Sequence, residues 1–315
     1  MKKDITRFCK AFAIVIVALV VVDFAFGFVT DKVLEQLPDY NIANGRLVKE
    51  NYRLHRMDAE IVIIGSSRGA HHYVTQQLND SIDNYLGRHY TVYNASIGGK
   101  FANSNSCAAE VIASRYKPKL VIFDMPENQL RSSDLSDFEQ DAPFYRQDSI
   151  VRRYFNDIGL KERVVKQSSM VRYNGMLLNL VASFFRKVPT NDGYEPLHGA
   201  TIDTTNLEKQ RAEVTDKELY SYSETNFVNV LKTYREKGIP LVVACSPRFR
   251  TSDDNEQLSC LCDENGIPFI EIYNDEFFNQ HPELFRDISH LNDEGAHQFT
   301  AKFFGELKPY LELLR

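Results

Sequence analysis

Two short polar segments far apart in the chain carry side chains that together could form a nucleophilic site. Ser66 and Ser67 closely follow the apolar run 60–64, and Asp287 precedes His290 by three residues. A serine hydroxyl is a poor nucleophile until a base accepts its proton, and a carboxylate that holds the imidazole tautomer makes histidine such a base. The pattern indicates acyl chemistry on a serine, with a capped turn and a surface loop as the alternatives.

The elements that must position these side chains alternate between short apolar strands and helices. Apolar runs predict five buried strands, at 60–64, 90–94, 118–123, 239–244 and 267–273. Helical periodicity predicts helices at 103–116, 216–237 and 253–265, and a last helix after Asn292. We expect an α/β fold with a doubly wound, five-stranded parallel sheet. Ligands bind beyond the carboxyl ends of such strands, so the serines and the 286–291 loop are expected at one edge.

The alternation stops between about 127 and 215, a span too long for an ordinary crossover. This span contains one apolar helix, at 176–185, and we predict that it forms a helical insertion in an α/β domain that covers 59–315. Its Tyr145, Arg146 and Tyr173 are predicted to be scattered surface residues, with the lining of a glycan groove as the alternative.

The N-terminal residues 1–30 have the pattern of a membrane anchor. Four basic residues lie before an apolar stretch at 11–29, which is about long enough to cross a bilayer as a helix, and acidic residues follow it. This charge distribution predicts a single-pass protein with a cytoplasmic N-terminus and an extracytoplasmic or periplasmic C-terminal domain. A cleaved signal peptide is the alternative, because 25–27 is a small-x-small triplet. Residues 31–58 are predicted to form a stalk or packing segment.

Composition and residue spacing exclude several other classes of function. The net charge is −6 and the sequence pI is about 5.8, so we expect no nucleic-acid partner. The five cysteines have no zinc-site spacing, and His71-His72 has no third ligand at metal spacing. We therefore predict no metal and no cofactor, with the two histidines as polar surface residues.

Three segments in this order resemble the sequence blocks of the SGNH/GDSL hydrolases. Gly65-Ser66-Ser67 matches the block after the first strand, Gly98 matches the glycine after the second, and Asp287-x-x-His290 matches the block before the final helix. The third block of the family, Gly-x-Asn-Asp, is not matched. The chain has Asp124-Met-Pro-Glu-Asn128 at that place, with the asparagine at a different offset.

The resemblance implies a flavodoxin-like SGNH fold and a role for each matched residue. It selects Ser67 over Ser66 as the nucleophile, with His290 as the general base and Asp287 as its orienting partner. The oxyanion donors would be the backbone N–H groups of Ser67 and Gly98, with the side-chain amide of Asn128. Arg68, which follows the nucleophile, is expected either to bind an anionic substrate or to pair with a nearby carboxylate.

These roles lead to two alternative functions. The first is an extracytoplasmic serine esterase or O-acyltransferase that acts on acetyl-type esters of a cell-envelope glycan or polymer. Its partners would be the acylated glycan or polymer, the membrane, and a membrane protein that takes part in acyl transfer. The second is a catalytically inactive scaffold of the same fold at the membrane, which the unmatched third block favours.

Overall fold

The structure is a computed structural model that describes residues 2–38, 45–185, 191–200, 202, 218–251 and 254–314. The starts of two predicted helices, at 216 and 253, and residues 203–215 of the predicted insertion lie outside these ranges. The helices are α1 (Lys2–Glu35), α2 (Arg46–His55), α3 (Ser67–His72), α4 (Thr75–Leu86), α5 (Ala102–Arg115), α6 (Asn128–Arg131), α7 (Ser149–Ile158), α8 (Leu160–Val165), α9 (Ser169–Arg172), α10 (Leu177–Ala182), α11 (Ser221–Lys237), α12 (Glu256–Asn265), α13 (Glu276–Gln280) and α14 (Asp293–Leu311). The strands are β1 (Ile61–Gly65), β2 (Val92–Asn94), β3 (Leu120–Asp124), β4 (Leu241–Cys245), β5 (Phe269–Glu271), β6 (Phe285–Asp287) and β7 (His290–Leu291).

The first five strands form one parallel sheet in the order β2-β1-β3-β4-β5. This is the flavodoxin-like strand order. The chain passes from β1 to β2 on one side of it, and then crosses to the other side of β1, where β3, β4 and β5 follow in order. The predicted doubly wound α/β fold is confirmed, and each observed strand overlaps its predicted run. Strands β1, β3 and β4 are buried along their full length, as expected for strands covered on both faces.

Alternate residues of each strand enter two separate cores, one on each face of the sheet. Val62, Ile64 and Phe123 pack with residues of α5, α11 and α12 on one face. Ile63 and Ile122 point to the opposite face and pack with residues of α4 and α14. Because successive side chains of a strand point to opposite faces of the sheet, both faces are apolar and each is covered by a layer of helices.

A third core joins the insertion to the N-terminal helices. It contains Leu34 and Leu37 from α1 and the residues after it, several residues of α2 and α5, and apolar residues between 138 and 180. Tyr145 and Tyr173 belong to this core and are 1% exposed, so the prediction that they lie on the surface or line a groove is wrong. They are buried because helices of the insertion pack on α5 and on the end of α1.

A buried network of charges connects α2 with the loop before α5 and with the insertion. Arg53 donates to Glu50 at 2.9 Å, and Lys100 donates to Asp141 at 2.5 Å. Arg53 also donates to the side chain of Asn105, at 3.1 Å. Burial and the neighbouring charge of Glu50 raise the pKa of Asp141 to about 6. Because buried charges are costly without partners, these pairs fix how the three segments meet.

Helix α1 is 34 residues long, and within the described ranges it is the one helix long and apolar enough to cross a membrane. Its apolar side chains between residues 12 and 29 are mostly exposed. Most of α1 therefore has no protein neighbour, whereas its last turns enter the third core.

Helix α3 approaches the loop after β2 so closely that a side chain larger than hydrogen does not fit at Gly69. A Cβ at this position would lie 2.4 Å from Oγ and 2.9 Å from Cβ of Ser96. We predict that Gly69→Ala lowers the free energy of unfolding by about 1–3 kcal/mol, as overpacking of a core does. Thermal unfolding of the detergent-solubilised protein measures this change.

The matched control is Gly305→Ala in α14, where a Cβ meets nothing within 4 Å. That variant should be as stable as the wild type or more stable by up to about 1 kcal/mol. Adding Ser96→Gly to Gly69→Ala should restore stability, because it removes the atoms that clash. A Gly69→Ala protein that unfolds at the wild-type temperature would contradict the close packing.

Candidate active site

The turn between β1 and α3 determines which of the two serines faces solvent. β1 ends at Gly65 and α3 begins at Ser67, so the turn contains Ser66 alone. Ser66 is 2% exposed, and its hydroxyl accepts a hydrogen bond from Nε2 of Gln129 at 3.0 Å. Ser67 is partly exposed and lines an open cleft at the carboxyl edge of the sheet. The hydroxyl available to a ligand is therefore that of Ser67.

The structure brings Ser67, His290 and Asp287 into one hydrogen-bonded row. Oγ of Ser67 lies 2.7 Å from Nε2 of His290. Nδ1 of the same ring lies 3.0 Å from each carboxylate oxygen of Asp287. When Nδ1 donates its proton to the carboxylate, Nε2 is left with a lone pair that can accept the serine proton.

The spacing of Asp287 and His290 follows from a tight hairpin. β6 and β7 are antiparallel, and the two residues are paired across them. Oδ1 of Asp287 also accepts the backbone N–H groups of Ser289 at 2.8 Å and His290 at 3.0 Å. Half-burial of Asp287 opposes ionisation, but the hydrogen bonds from His290 and Ser289 outweigh it and hold the pKa of Asp287 below its usual value. The carboxylate of Asp287 is therefore ionised at physiological pH.

Two further histidines lie beside His290. His72 is fully buried, and its Nε2 accepts the backbone N–H of Leu291 at 2.9 Å. Burial, together with the charges of His290 and Arg68, lowers the pKa of His72 well below 6.5. The neutral His72 ring therefore anchors the strand that carries His290. The prediction that His72 is a polar surface residue is wrong, because α3 turns it beneath the hairpin.

His71 lies in the wall of the cleft. Its Nδ1 is 2.6 Å from the carbonyl oxygen of Glu195, which fixes the ring proton on Nδ1, and its ring stands edge-on to that of His290 at 5.5 Å between centroids. Burial lowers the pKa of His71, so this ring is neutral at physiological pH. His71 is thus a wall residue of the cleft and not part of a solvated surface.

Ser67 and Gly98 both line the cleft, and each has a backbone N–H group. Within the described residues, no hydrogen-bond acceptor pairs with the N–H of Ser67 or of Gly98. A Cβ placed on Gly98 would lie 3.7 Å from Cβ of Ser67, so the two residues are neighbours. Backbone N–H groups without an acceptor can bind a negatively charged oxygen that forms beside them.

Asn128 does not reach this position. Its side-chain nitrogen donates to the hydroxyl of Tyr273 at 3.3 Å, and Asn128 is not among the described residues that line the cleft. Asn128 is the first residue of the short helix α6, and the next residue, Gln129, contacts the buried Ser66. The geometry therefore gives no support to Asn128 as an oxyanion donor.

Arg68 is directed into the protein. It is 6% exposed, and its guanidinium lies 5.0 Å from the centre of the Tyr273 ring, close to the buried Asp124. Asp124 accepts hydrogen bonds from N and Oγ of Ser246, both at 2.9 Å. The burial of Arg68 and its absence from the described cleft lining favour the alternative in which it interacts with an internal carboxylate over binding of an anionic substrate.

The cleft itself has a volume of about 840 Å³ and contains more basic than acidic side chains. Arg46, Lys49 and Arg286 line it together with Glu195 and Asp287. The guanidinium of Arg46 covers Gly99, which has a φ of 77° and would bring a Cβ within 3.4 Å of that group. Sequence patterns gave no signal for Arg46, Lys49 or Glu195, because they come from α2 and the insertion and not from strand ends.

Residues 191–197, which we call the strap, hold part of the insertion against the cleft. The backbone of the strap forms hydrogen bonds with Asn94, the last residue of β2, with Ala70 in α3, and with Asp293, the first residue of α14. Nζ of the buried Lys49 donates to the carbonyl of Gly193 at 2.7 Å and to Glu195 at 3.2 Å. The strap therefore closes one side of the cleft around His71.

The buried neutral His72 makes the stability of the protein depend on pH. Below about pH 6.5 the unfolded chain binds a proton at His72 that the folded protein does not bind, so stability falls on acidification by up to about 1.4 kcal/mol per pH unit. We predict that His72→Gln, which keeps an acceptor for the N–H of Leu291, reduces this slope. Chemical unfolding at about pH 7.5 and about pH 5.5 measures it.

His198→Gln serves as the control, because His198 is exposed. Its pH slope should equal that of the wild type. Equal slopes for His72→Gln and the wild type would mean that His72 takes up a proton in the folded state.

No protein-family model and no curated protein matches the sequence, whereas several solved structures are similar to the fold. A GDSL-like lipase from Bacteroides thetaiotaomicron is similar over 81% of this chain and 88% of its own, with a TM-score of 0.37 and 10% identity. An acetyl xylan esterase is similar over 78% of this chain and 99% of its own (TM-score 0.40, 14% identity). A lipase/acylhydrolase from Enterococcus faecalis is similar over 81% and 97% (TM-score 0.38, 12% identity).

Proposed function

We propose that this protein is a membrane-anchored serine esterase or O-acyltransferase of the SGNH type, with Ser67 as nucleophile, His290 as general base and Asp287 as its orienting partner. The observation that carries the proposal is the hydrogen-bonded row of these three side chains, with 2.7 Å between Oγ and Nε2. Their order and roles are those of a Ser-His-Asp triad, which is recognised by geometry.

The chemistry proceeds in two balanced half-reactions. His290 accepts the proton of Ser67 as Oγ attacks the acyl carbon, and it then gives that proton to the alcohol that leaves as the ester C–O bond breaks. In the second half, water or an acceptor hydroxyl loses its proton to His290 as it attacks the acyl carbon, and His290 returns that proton to Oγ of Ser67 as the acyl–Oγ bond breaks. Water gives hydrolysis, and a sugar or polymer hydroxyl gives transfer.

The negative charge that develops on the carbonyl oxygen needs donors at the site of attack. The N–H groups of Ser67 and Gly98 are the candidates, since both lie beside Oγ without another acceptor among the described residues. Each such donor contributes about 3–4 kcal/mol to the stability of the transition state. The substrate class proposed for this site is an acetyl-type ester on a cell-envelope glycan or polymer, which an open cleft of about 840 Å³ can admit.

We further propose that α1 remains attached as a single-pass anchor, with the N-terminus in the cytoplasm and the α/β domain outside. The contacts of the triplet 25–27 support retention over cleavage. Gly27 packs against Ser169 so closely that a Cβ would lie 2.0 Å from its Oγ. The close packing explains why residue 27 is small. The small-x-small triplet at 25–27 therefore does not require a signal-peptide cleavage site as its explanation.

The nucleophile is tested by Ser67→Ala together with the matched control Ser66→Ala. We expect a fluorophosphonate probe to label the wild type and Ser66→Ala and to leave Ser67→Ala unlabelled. Esterase activity on a chromogenic acetyl ester should fall by at least about 10³-fold in Ser67→Ala. Ser66 is suitable as the control because its hydroxyl is buried against Gln129.

Two outcomes would contradict this assignment. Labelling of Ser67→Ala would mean that another residue is the nucleophile. A wild-type protein that is folded but neither labelled nor active would support the alternative, a catalytically inactive scaffold of the same fold.

The orientation can be tested with the native cysteines. Cys9 and Cys260 are exposed, whereas Cys107, Cys245 and Cys262 are buried. We predict that a membrane-impermeant maleimide labels the protein on intact spheroplasts at Cys260, and that Cys260→Ser abolishes this labelling. Cys9 should react only after the membrane is opened. The reverse pattern would place the α/β domain in the cytoplasm and reject the proposed orientation.

A further inference from the structure

The insertion exposes an unusual concentration of apolar side chains. Outside α1, the described residues include eleven large apolar side chains that are exposed, and nine of them lie between residues 160 and 185. We call this set the apolar patch; its most exposed members are Leu160, Val164, Val181, Leu178 and Phe185. Leu178 and Phe185 are 84% and 79% exposed. Soluble surfaces seldom carry such a cluster unless something covers it.

Part of the apolar patch is held against a defined position along α1. The carboxylate of Asp23 accepts Oγ of Ser168 at 2.7 Å and the backbone N–H groups of Ser169 and Met170 at 2.9 and 2.8 Å. These bonds cap the start of α9, and Gly27, one turn further along α1, packs on Ser169. Helix α9 and the apolar side chains around it therefore lie beside residues 23–27 of α1.

The length of α1 places its residues 23–27 inside the hydrocarbon core of a bilayer. At 1.5 Å per residue, the distance from Lys10 to Asp23 is about 20 Å, whereas the hydrocarbon core of a membrane is about 30 Å thick. A bilayer that begins at Lys10 therefore extends about 10 Å beyond Asp23, to about residue 30. Phe24, Phe28 and Val29 are exposed in that section of α1 and also need an apolar environment.

The sequence of α8 agrees with a location at the membrane boundary. Leu160 and Val164 are one turn apart and exposed, with the exposed Lys161 and Arg163 between them. In α10, Leu178 and Val181 are three residues apart and therefore lie on one face, and Phe185 lies in the turn that follows this helix. Basic residues beside an apolar face are typical of segments that lie in the interfacial region of a bilayer.

We propose that the apolar patch is immersed in the outer leaflet of the membrane, so that the protein contacts lipid through the insertion as well as through α1. The inference rests on the proposed membrane anchorage. Lipid is the occupant that the structure favours, because α9, which carries Met170 and Val171 of the patch, is held by hydrogen bonds against the section of α1 that the bilayer must surround. Contact along two surfaces sets the orientation of the α/β domain relative to the membrane.

The absence of tryptophan from the chain allows a site-specific test. Full-length Leu178→Trp and Phe185→Trp are reconstituted singly into phosphatidylcholine vesicles that are brominated either near the headgroup or near the middle of the acyl chains. Bromine quenches only fluorophores that contact it. We expect both variants to lose most of their fluorescence, more strongly with the bromine near the headgroup, since the patch enters only the outer part of the bilayer.

Two control variants separate this proposal from the anchorage on which it rests. Val17→Trp lies in the middle of α1 and should be quenched most by bromine near the chain middle. Phe277→Trp is 40% exposed on α13, outside the insertion, and should not be quenched. If Val17→Trp is quenched while Leu178→Trp and Phe185→Trp are not, the apolar patch is outside the lipid and the proposal is overturned, although the anchor stands. An unquenched Val17→Trp rejects the anchor itself.

A second copy of the chain is the competing occupant of the apolar patch. In that case Leu178→Trp and Phe185→Trp would remain unquenched, and the protein would form dimers in lipid nanodiscs. That result would also overturn the proposal.

Discussion

The 2.7 Å hydrogen bond between Ser67 and His290 joins residues 223 positions apart, and the geometry of the cleft depends on it. A parallel sheet makes this contact possible, because it brings the carboxyl ends of distant strands to one edge. The hairpin that carries His290 is then held from two directions. The N–H of Phe249, after β4, donates to Ile288, and the N–H of Leu291 donates to His72 in α3. Both ends of the row are thus fixed to elements that the sheet positions, which is the condition for preorganised catalysis.

Much of the cleft wall comes from segments outside the α/β core, and close backbone packing explains why they hold their places. Gly193 in the strap has a φ of 86°, and a Cβ there would lie 1.9 Å from the carbonyl oxygen of Asn94. Only glycine permits this approach. Lys49, which bonds to the carbonyl of Gly193, is buried in α2 near Arg53 and the charges that fix α2 to the insertion. The insertion and α2 therefore supply much of the cleft wall, whereas Ser67, Asp287 and His290 lie on elements at the carboxyl edge of the sheet.

The strands of the sheet and the pairing of Asp287 with His290 could be predicted from the sequence, because they depend on local periodicity and on residue types at strand ends. The five apolar runs predicted the parallel sheet, and the three-residue spacing of Asp287 and His290 predicted that the two side chains pair, but not the β6–β7 hairpin on which they lie. Asn128 was assigned from its place after β3, but the turn into α6 directs its amide to Tyr273. The burial of His72 and the approach of Glu195 to His71 depend on tertiary packing between segments more than a hundred residues apart. No pattern in a single sequence reports such contacts.

Asp23 is a carboxylate in an otherwise apolar helix, and its contacts suggest why the chain tolerates it. On insertion scales an aspartate at the centre of a membrane helix costs about 2.5–3.5 kcal/mol, less near the interface. Three hydrogen bonds from the start of α9, two of them from otherwise unsatisfied backbone N–H groups, offset this cost. The same contacts make α1 part of the folded domain and not a flexible tether. Since Arg46 in the cleft wall begins the helix that follows α1, α1 and part of the cleft wall belong to one N-terminal segment, and the proposed anchor would hold the cleft in a fixed orientation relative to a bilayer.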